Sequence, residues 1–172
     1  MKKQMLSLLL AVVTAGCFTC KHSEPVKLSV FSGTVERVAK EKGVSLDQSA
    51  ALLKDAGVSG FDTHYKDAKL PEFVKTGLKP INLYGWPKFL GPDGGAKDSA
   101  EFVAAAVKYG VPRIMVIPDN FSKDGDQEAD YVRILEGLRK LVAKANAAGI
   151  AVTVEDFGGT ENPCSYAKYL KR

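Results

Sequence analysis

The chain has 172 residues, 45% of them hydrophobic and 26% charged, and a formal net charge of +4. With 24 Lys and Arg mixed among 20 Asp and Glu along its length, it carries no basic block beside aromatic residues. Nucleic acid and other acidic polymers are thereby excluded as partners, and a small molecule is expected instead.

The first residues have the form of a signal peptide: Lys2 and Lys3 give a positive start, Met5 to Val13 an apolar stretch, and Thr14, Ala15 and Gly16 are small. The apolar stretch is too short to span a bilayer. The run Val13-Thr14-Ala15-Gly16-Cys17 looks like the lipobox at which bacteria acylate a cysteine and cleave before it, with Thr14 where Leu is usual. Residues 1–16 are read as the signal and Cys17 as the lipidation site. A polar tether over 17–25 then ends at Pro25, and a folded domain follows over 26–172. An exported, periplasmic or outer-membrane lipoprotein held to the membrane by its lipid anchor is the expectation. Removing the two lysines of the signal lowers the charge from +4 to about +2. Cys20 and Cys164 share no metal-ligand spacing and are read as unpaired.

From Val26 onward one junction recurs, in which a helix-like stretch ends in glycine and an apolar run follows at once. It is seen at Gly57-Val58, Gly77-Leu78, Gly110-Val111 and Gly149-Ile150. Strand-like runs lie at Lys27 to Phe31, Val58 to Thr63, Leu78 to Tyr84, Arg113 to Ile117 and Ile150 to Glu155. Ser45 with Gln48 has the form of a capping box ahead of Leu46, Ala50 and Leu53. Asp98 with Glu101 is read as opening the helix of Phe102, Val103, Ala106 and Val107 in the same way. Gly91-Pro92-Asp93-Gly94-Gly95 lacks the spacing and lysine of a phosphate loop and reads as a long connection. The clearest helix carries Tyr131, Ile134, Leu135, Leu138, Leu141, Val142 and Ala145 on one stripe. One short helix, about 164–170, follows the last strand.

Helices between successive strands imply parallel pairing. Two α/β architectures accept five such units: an open, flavodoxin-like five-stranded sheet, and a partial TIM (β/α) barrel. Length and periodicity slightly favour the open sheet, since a complete barrel takes about 250 residues.

Two blocks turn the reading to the barrel: Gly43-Val44-Ser45-Leu46-Asp47 through Gly57-Val58-Ser59-Gly60-Phe61-Asp62, and Gly149-Ile150-Ala151-Val152-Thr153-Val154-Glu155-Asp156-Phe157. Together they resemble the xylose isomerase-like family of sugar and sugar-phosphate isomerases and epimerases, and the segment from Ala104 to Pro118 looks like that family's third helix and fourth strand. The resemblance implies a divalent metal, Mg, Mn or similar, at the barrel mouth, with Glu155 as metal ligand and catalytic carboxylate. Strand alternation independently places Ala151, Thr153 and Glu155 on the face opposite Ile150, Val152 and Val154. The implied chemistry is proton abstraction beside a carbonyl, with the developing oxyanion held on the metal.

Three further ligands that the family implies, an acid, a histidine and a glutamate on strands six to eight, have no positions in the chain. The expectation is therefore a chain incomplete and inactive alone, with open barrel edges that invite self-association. His64, Tyr65, Tyr84 and Trp86 follow strands two and three and are candidates to line a small sugar pocket, with His64, Tyr84 and Trp86 as the substrate-binding set. Asp62 and Asp119 read as turn-forming acids that accept backbone hydrogen bonds. The function implied is metal-dependent proton transfer on a sugar or sugar derivative in intact relatives; the alternative is a non-catalytic surface lipoprotein that binds a carbohydrate or a partner.

Overall fold

The structure, a computed structural model, describes residues Leu28 to Glu155. The readings on residues 1–27 and 156–172, including the signal, Cys17, Cys20, Cys164 and the final short helix, lie outside the described residues. Five strands alternate with helices: β1 (Leu28–Phe31), α1 (Ser32–Lys42), α2 (Leu46–Asp55), β2 (Val58–His64), α3 (Leu70–Lys75), β3 (Lys79–Gly85), α4 (Ala96–Tyr109), β4 (Arg113–Val116), α5 (Gln127–Ala147) and β5 (Ala151–Val154).

The strands pair in parallel in the order β1-β2-β3-β4-β5, each beside its sequence neighbour. An open doubly wound sheet would reverse its strand order at a switch point, whereas a barrel arc steps one way throughout. Strand order therefore decides for the partial barrel. The helices bury one face of the sheet: Phe61, Leu83, Ile114 and Val116 are fully buried with Phe73, Phe102, Ile134 and Leu141 of the helices. The opposite, concave face carries the alternate residues.

The junction glycines adopt positive φ, at Gly57, Gly77, Gly110 and Gly149. Gly110 shows why: at φ 63° it is left-handed, and its N–H closes α4 onto Ala106 and Val107 while Val111 enters the core. The Ser45–Gln48 box is present in both directions.

A helix, α1, follows β1 directly, with no side-chain cap at its start. One local reading is corrected. Asp98 does not cap α4, because that helix begins at Ala96 behind left-handed Gly95. The loop acid Asp93 instead accepts from Gly95 N at 3.0 Å and Lys97 N at 2.9 Å. These donors hold its carboxyl below the usual range.

The glycine-rich connection is pinned rather than loose. Arg133 of α5 donates to Leu90 O at 2.6 Å and Gly91 O at 3.2 Å, and buried Phe89 lies against Gly137. A Cβ on Gly137 would run into the Phe89 ring and stand 3.1 Å from Gly94 O. Gly137→Ala should cost about 1–3 kcal/mol through this overpacking, read as a lowered urea midpoint. Gly33→Ala in α1, where nothing lies within 4 Å, should cost nothing. Equal midpoints for the two variants would refute the close contact.

Candidate functional site

Barrel chemistry belongs at the C-terminal ends of the strands, where loops rather than ladders position side chains. At that end β1, β2 and β3 bring four rings together. His64 stacks on Trp86 with centroids 5.2 Å apart, and Tyr84 meets His64, Trp86 and Phe31 edge-on at 5.7, 5.7 and 5.8 Å. These are the separations of favourable aromatic pairs. Phe31 and Trp86 are 57% and 40% exposed, a large apolar surface for residues held in ordered contacts. The predicted set His64, Tyr84 and Trp86 is thus one wall, and Phe31, which sequence reasoning passed over, extends it.

His64 is fixed in tautomer as well as position. The backbone N–H of Lys66 donates to its Nδ1 at 3.1 Å, which leaves the proton of the neutral ring on Nε2. Burial, helped by the Lys66 charge and opposed by Asp67, holds its pKa below the ordinary 6.5. At neutral pH the wall therefore presents an N–H donor without charge. Burial and the nearby carboxylates Asp67 and Asp62 push Tyr84 upward, so its hydroxyl stays protonated.

Tyr65 backs the wall: its ring lies 4.9 Å from that of His64 and it borders the cleft at the mouth, but most of it is turned inward. It is 7% exposed, stacks on Phe102 at 4.4 Å and donates its hydroxyl to Asp98 at 3.2 Å. Asp98 is the tie behind the mouth, accepting also from Lys66 Nζ at 2.8 Å and Lys88 N at 3.2 Å. The Lys66 contact chiefly holds the Asp98 carboxyl low, and hydrogen bonds to Asp98, Tyr65 and Glu101 raise the Lys66 ammonium. Together Asp98, Lys66 and Lys88 with His64 and Trp86 border an open cleft of about 380 Å³. A larger hollow of about 880 Å³ lies at the other end of the sheet, among Leu78, Pro80, Tyr109 and Pro112. It borders helix C-termini and offers few polar groups, so the mouth is the better site.

Of the two acids read as turn formers, Asp119 fits, accepting from Leu90 N at 3.0 Å with Lys88 Nζ 3.5 Å away. Asp62 does not. It lies within β2, paired in register with Phe31 on one side and Asn82 on the other, and so on the concave face. Asn82 in turn is in register with Arg113. The sequence signal for this polar row was present in the alternation of Asn82 with Ile81 and Leu83, but a polar residue inside a strand does not by itself announce its face.

Glu155 continues the alternation of β5 beyond Thr153, and its N–H extends the ladder onto Val116 O at 2.9 Å. Its backbone therefore lies at the mouth end of β5, and by alternation on the concave side. No three His, Cys, Asp or Glu side chains come together as a metal-binding group among the described residues. The described residues therefore do not fit a divalent metal by themselves.

Asp62 gives this face a measurable signature. Burial raises its pKa above the ordinary 3.8, with Ser29, Asn82 and Arg113 pulling the other way. The folded state then holds this proton more tightly than the unfolded chain, so stability falls as pH rises from 3.8 through the folded-state value. Asp62→Asn should gain stability over the wild type between about pH 3 and about pH 7 in urea unfolding; a difference independent of pH would contradict the assignment.

No protein-family model matches the chain, and no curated protein matches it. Solved structures do. The IolI protein with a bound zinc atom superposes with TM-score 0.54 at 17% identity, over 75% of this chain and 51% of that one. The 3-keto-D-glucoside 4-epimerase YcjR of E. coli gives 0.50 at 17%, over 72% and 51%. The probable 3-DHS dehydratase AsbF of petrobactin synthesis in Bacillus anthracis gives 0.55 at 11%, over 76% and 52%. The chain spans about half the length of each. At these identities the likeness shows the fold: five parallel strand-helix units that form part of a TIM-type barrel.

Proposed function

We propose that the described residues are a sugar-recognising part of an isomerase or epimerase type barrel, and that the protein is exported and lipid-anchored through Cys17. The observation that carries the sugar reading is the four-ring wall of Phe31, His64, Tyr84 and Trp86 at the C-terminal ends of β1 to β3. A sugar ring offers C–H groups to an aromatic face and hydroxyls to its edges, and this wall combines exposed ring surface with the His64 Nε2–H and the Tyr84 hydroxyl. The barrel likeness to a keto-glucoside epimerase supports the same reading. In the whole protein we place Glu155 as a mouth carboxylate that exchanges a proton beside a carbonyl, and any metal there would draw its remaining ligands from outside the described residues.

Trp86 is the one tryptophan of the chain and sits in the wall, so it reports directly. Titrating the full protein with a panel of aldo- and ketohexoses should give a saturable change in tryptophan fluorescence. Tyr84→Ala should weaken that binding roughly tenfold, the worth of about 1.4 kcal/mol for an aromatic contact. No saturable response to any hexose would overturn the sugar reading.

The lipid anchor is separately testable. Expressed in a bacterium with labelled palmitate, the wild type should carry label and sediment with membranes, while Cys17→Ala should lose both. Label on the alanine variant would sink the assignment of Cys17.

A further inference from the structure

The concave face holds two buried oxygen atoms to which the described residues bring no donor, although Ser29 and the Asn82 side chain still act on the Asp62 carboxyl as a whole. Asp62 Oδ1 and Asn82 Oδ1 are both shielded from solvent, and neither has a hydrogen-bond partner among the described residues. Asn82 is 8% exposed overall, whereas its strand neighbour Leu83, on the helix side, is fully buried in the core. A buried amide with an unmatched oxygen is costly, on the order of 1–3 kcal/mol, and native folds rarely keep one for packing alone.

The two residues face each other across β2 and β3 in direct register, and the next pair up the same strands is His64 with Tyr84. The acceptors therefore lie one row deeper than His64 and Tyr84, in the row that Phe31 ends on β1. Adjacent strands run about 4.8 Å apart, and a hydrogen bond from a hydroxyl closes at about 2.7–2.8 Å. Two neighbouring hydroxyls on one ring bridge such a gap, each donating to one oxygen. Both empty partners are acceptors, so the complement is a pair of donors rather than an anion. The Arg113 guanidinium, in register with Asn82, argues against a metal cation in the same place.

We propose that Asp62 Oδ1 and Asn82 Oδ1 form a diol-reading floor beneath the wall, accepting hydrogen bonds from two adjacent hydroxyls of the bound sugar. This rests on the sugar reading of the wall and adds to it the chemical group that decides which sugars bind. A site built to receive hydroxyls rejects an analogue lacking one far more strongly than an apolar pocket distinguishes a methylene, because the acceptor is then stranded.

The test compares a hexose that shifts Trp86 fluorescence with its monodeoxy analogues, on the wild type and on Asp62→Leu and Asn82→Leu. Removal of the unmatched acceptors should leave both variants folded, with urea midpoints no lower than that of the wild type, so lost binding cannot be charged to unfolding. In the wild type, at least one pair of monodeoxy analogues, altered at neighbouring carbons, should each bind tenfold or more weaker than the parent. In each leucine variant the analogue lacking the hydroxyl that the replaced residue received should bind within about twofold of the parent, while the analogue altered at the neighbouring carbon stays weaker because its acceptor remains. Wild-type protein that binds every monodeoxy analogue as well as the parent would overturn the floor, and so would leucine variants that keep the full preference. In both cases the wall reading would stand, because the parent still binds. If no hexose binds the wild type, the wall reading itself fails and takes the floor with it.

Discussion

One-sided burial of the sheet is the constraint from which the rest follows. Every crossover packs its helix against the same face, where Phe61, Leu83, Ile114 and Val116 meet the helices without exposed surface. Because side chains alternate along a strand, securing one face assigns the other: if Leu83 is core, Asn82 and Tyr84 are concave. A slip of one residue in register would turn Asn82 and Asp62 into the helix layer and Leu83 and Phe61 out of it. The apolar layer thus fixes the polar row and the aromatic wall together.

The mouth is held by a second set of ties that run across chain-distant loops. Asp98 gathers Tyr65, Lys66 and the backbone of Lys88, linking the ends of β2 and β3 to α4. Arg133 and Gly137 of α5 hold the loop of Phe89 to Gly95 from the other side. The Lys66 pair is largely exposed and contributes little to global stability on its own. Its consequence is local, since the Lys66 backbone that sets the His64 tautomer is kept in place by the same side chain.

Legibility in the sequence followed the range of each signal. The glycine junctions and the Ser45–Gln48 box are local backbone chemistry, and both are found in the structure. Strand order is not local, and composition leaned toward the open sheet; the residues of the two resembling blocks led to the barrel that the pairing shows. Asp98 was misassigned as a cap because its spacing to Glu101 imitates one, while its real partners lie about thirty residues away on β2's flank. Asp62 failed for a related reason. An acid close to the end of a strand-like run also suits a turn, and only the register with Phe31 and Asn82 shows that it lies on the concave face of the sheet. Phe31 escaped notice since an aromatic ending a strand is ordinary packing until Tyr84 is seen beside it.

The wall and the floor differ in what holds them, and the difference bears on recognition. Edge-on and stacked contacts confine the rings whether or not a ligand is present, so their order is set in advance and little side-chain entropy remains to be lost on binding. Asp62 and Asn82 are the opposite case: each keeps a buried oxygen that no described residue satisfies, and burial alone raises the Asp62 carboxyl. A face that is rigid where contact is apolar and unsatisfied where contact is polar separates two tasks. The rings accept many flat C–H surfaces with similar strength, whereas the stranded acceptors improve only when a donor of the right placement arrives. Affinity then comes mainly from β1 to β3 at the rim, and selectivity from the row beneath it.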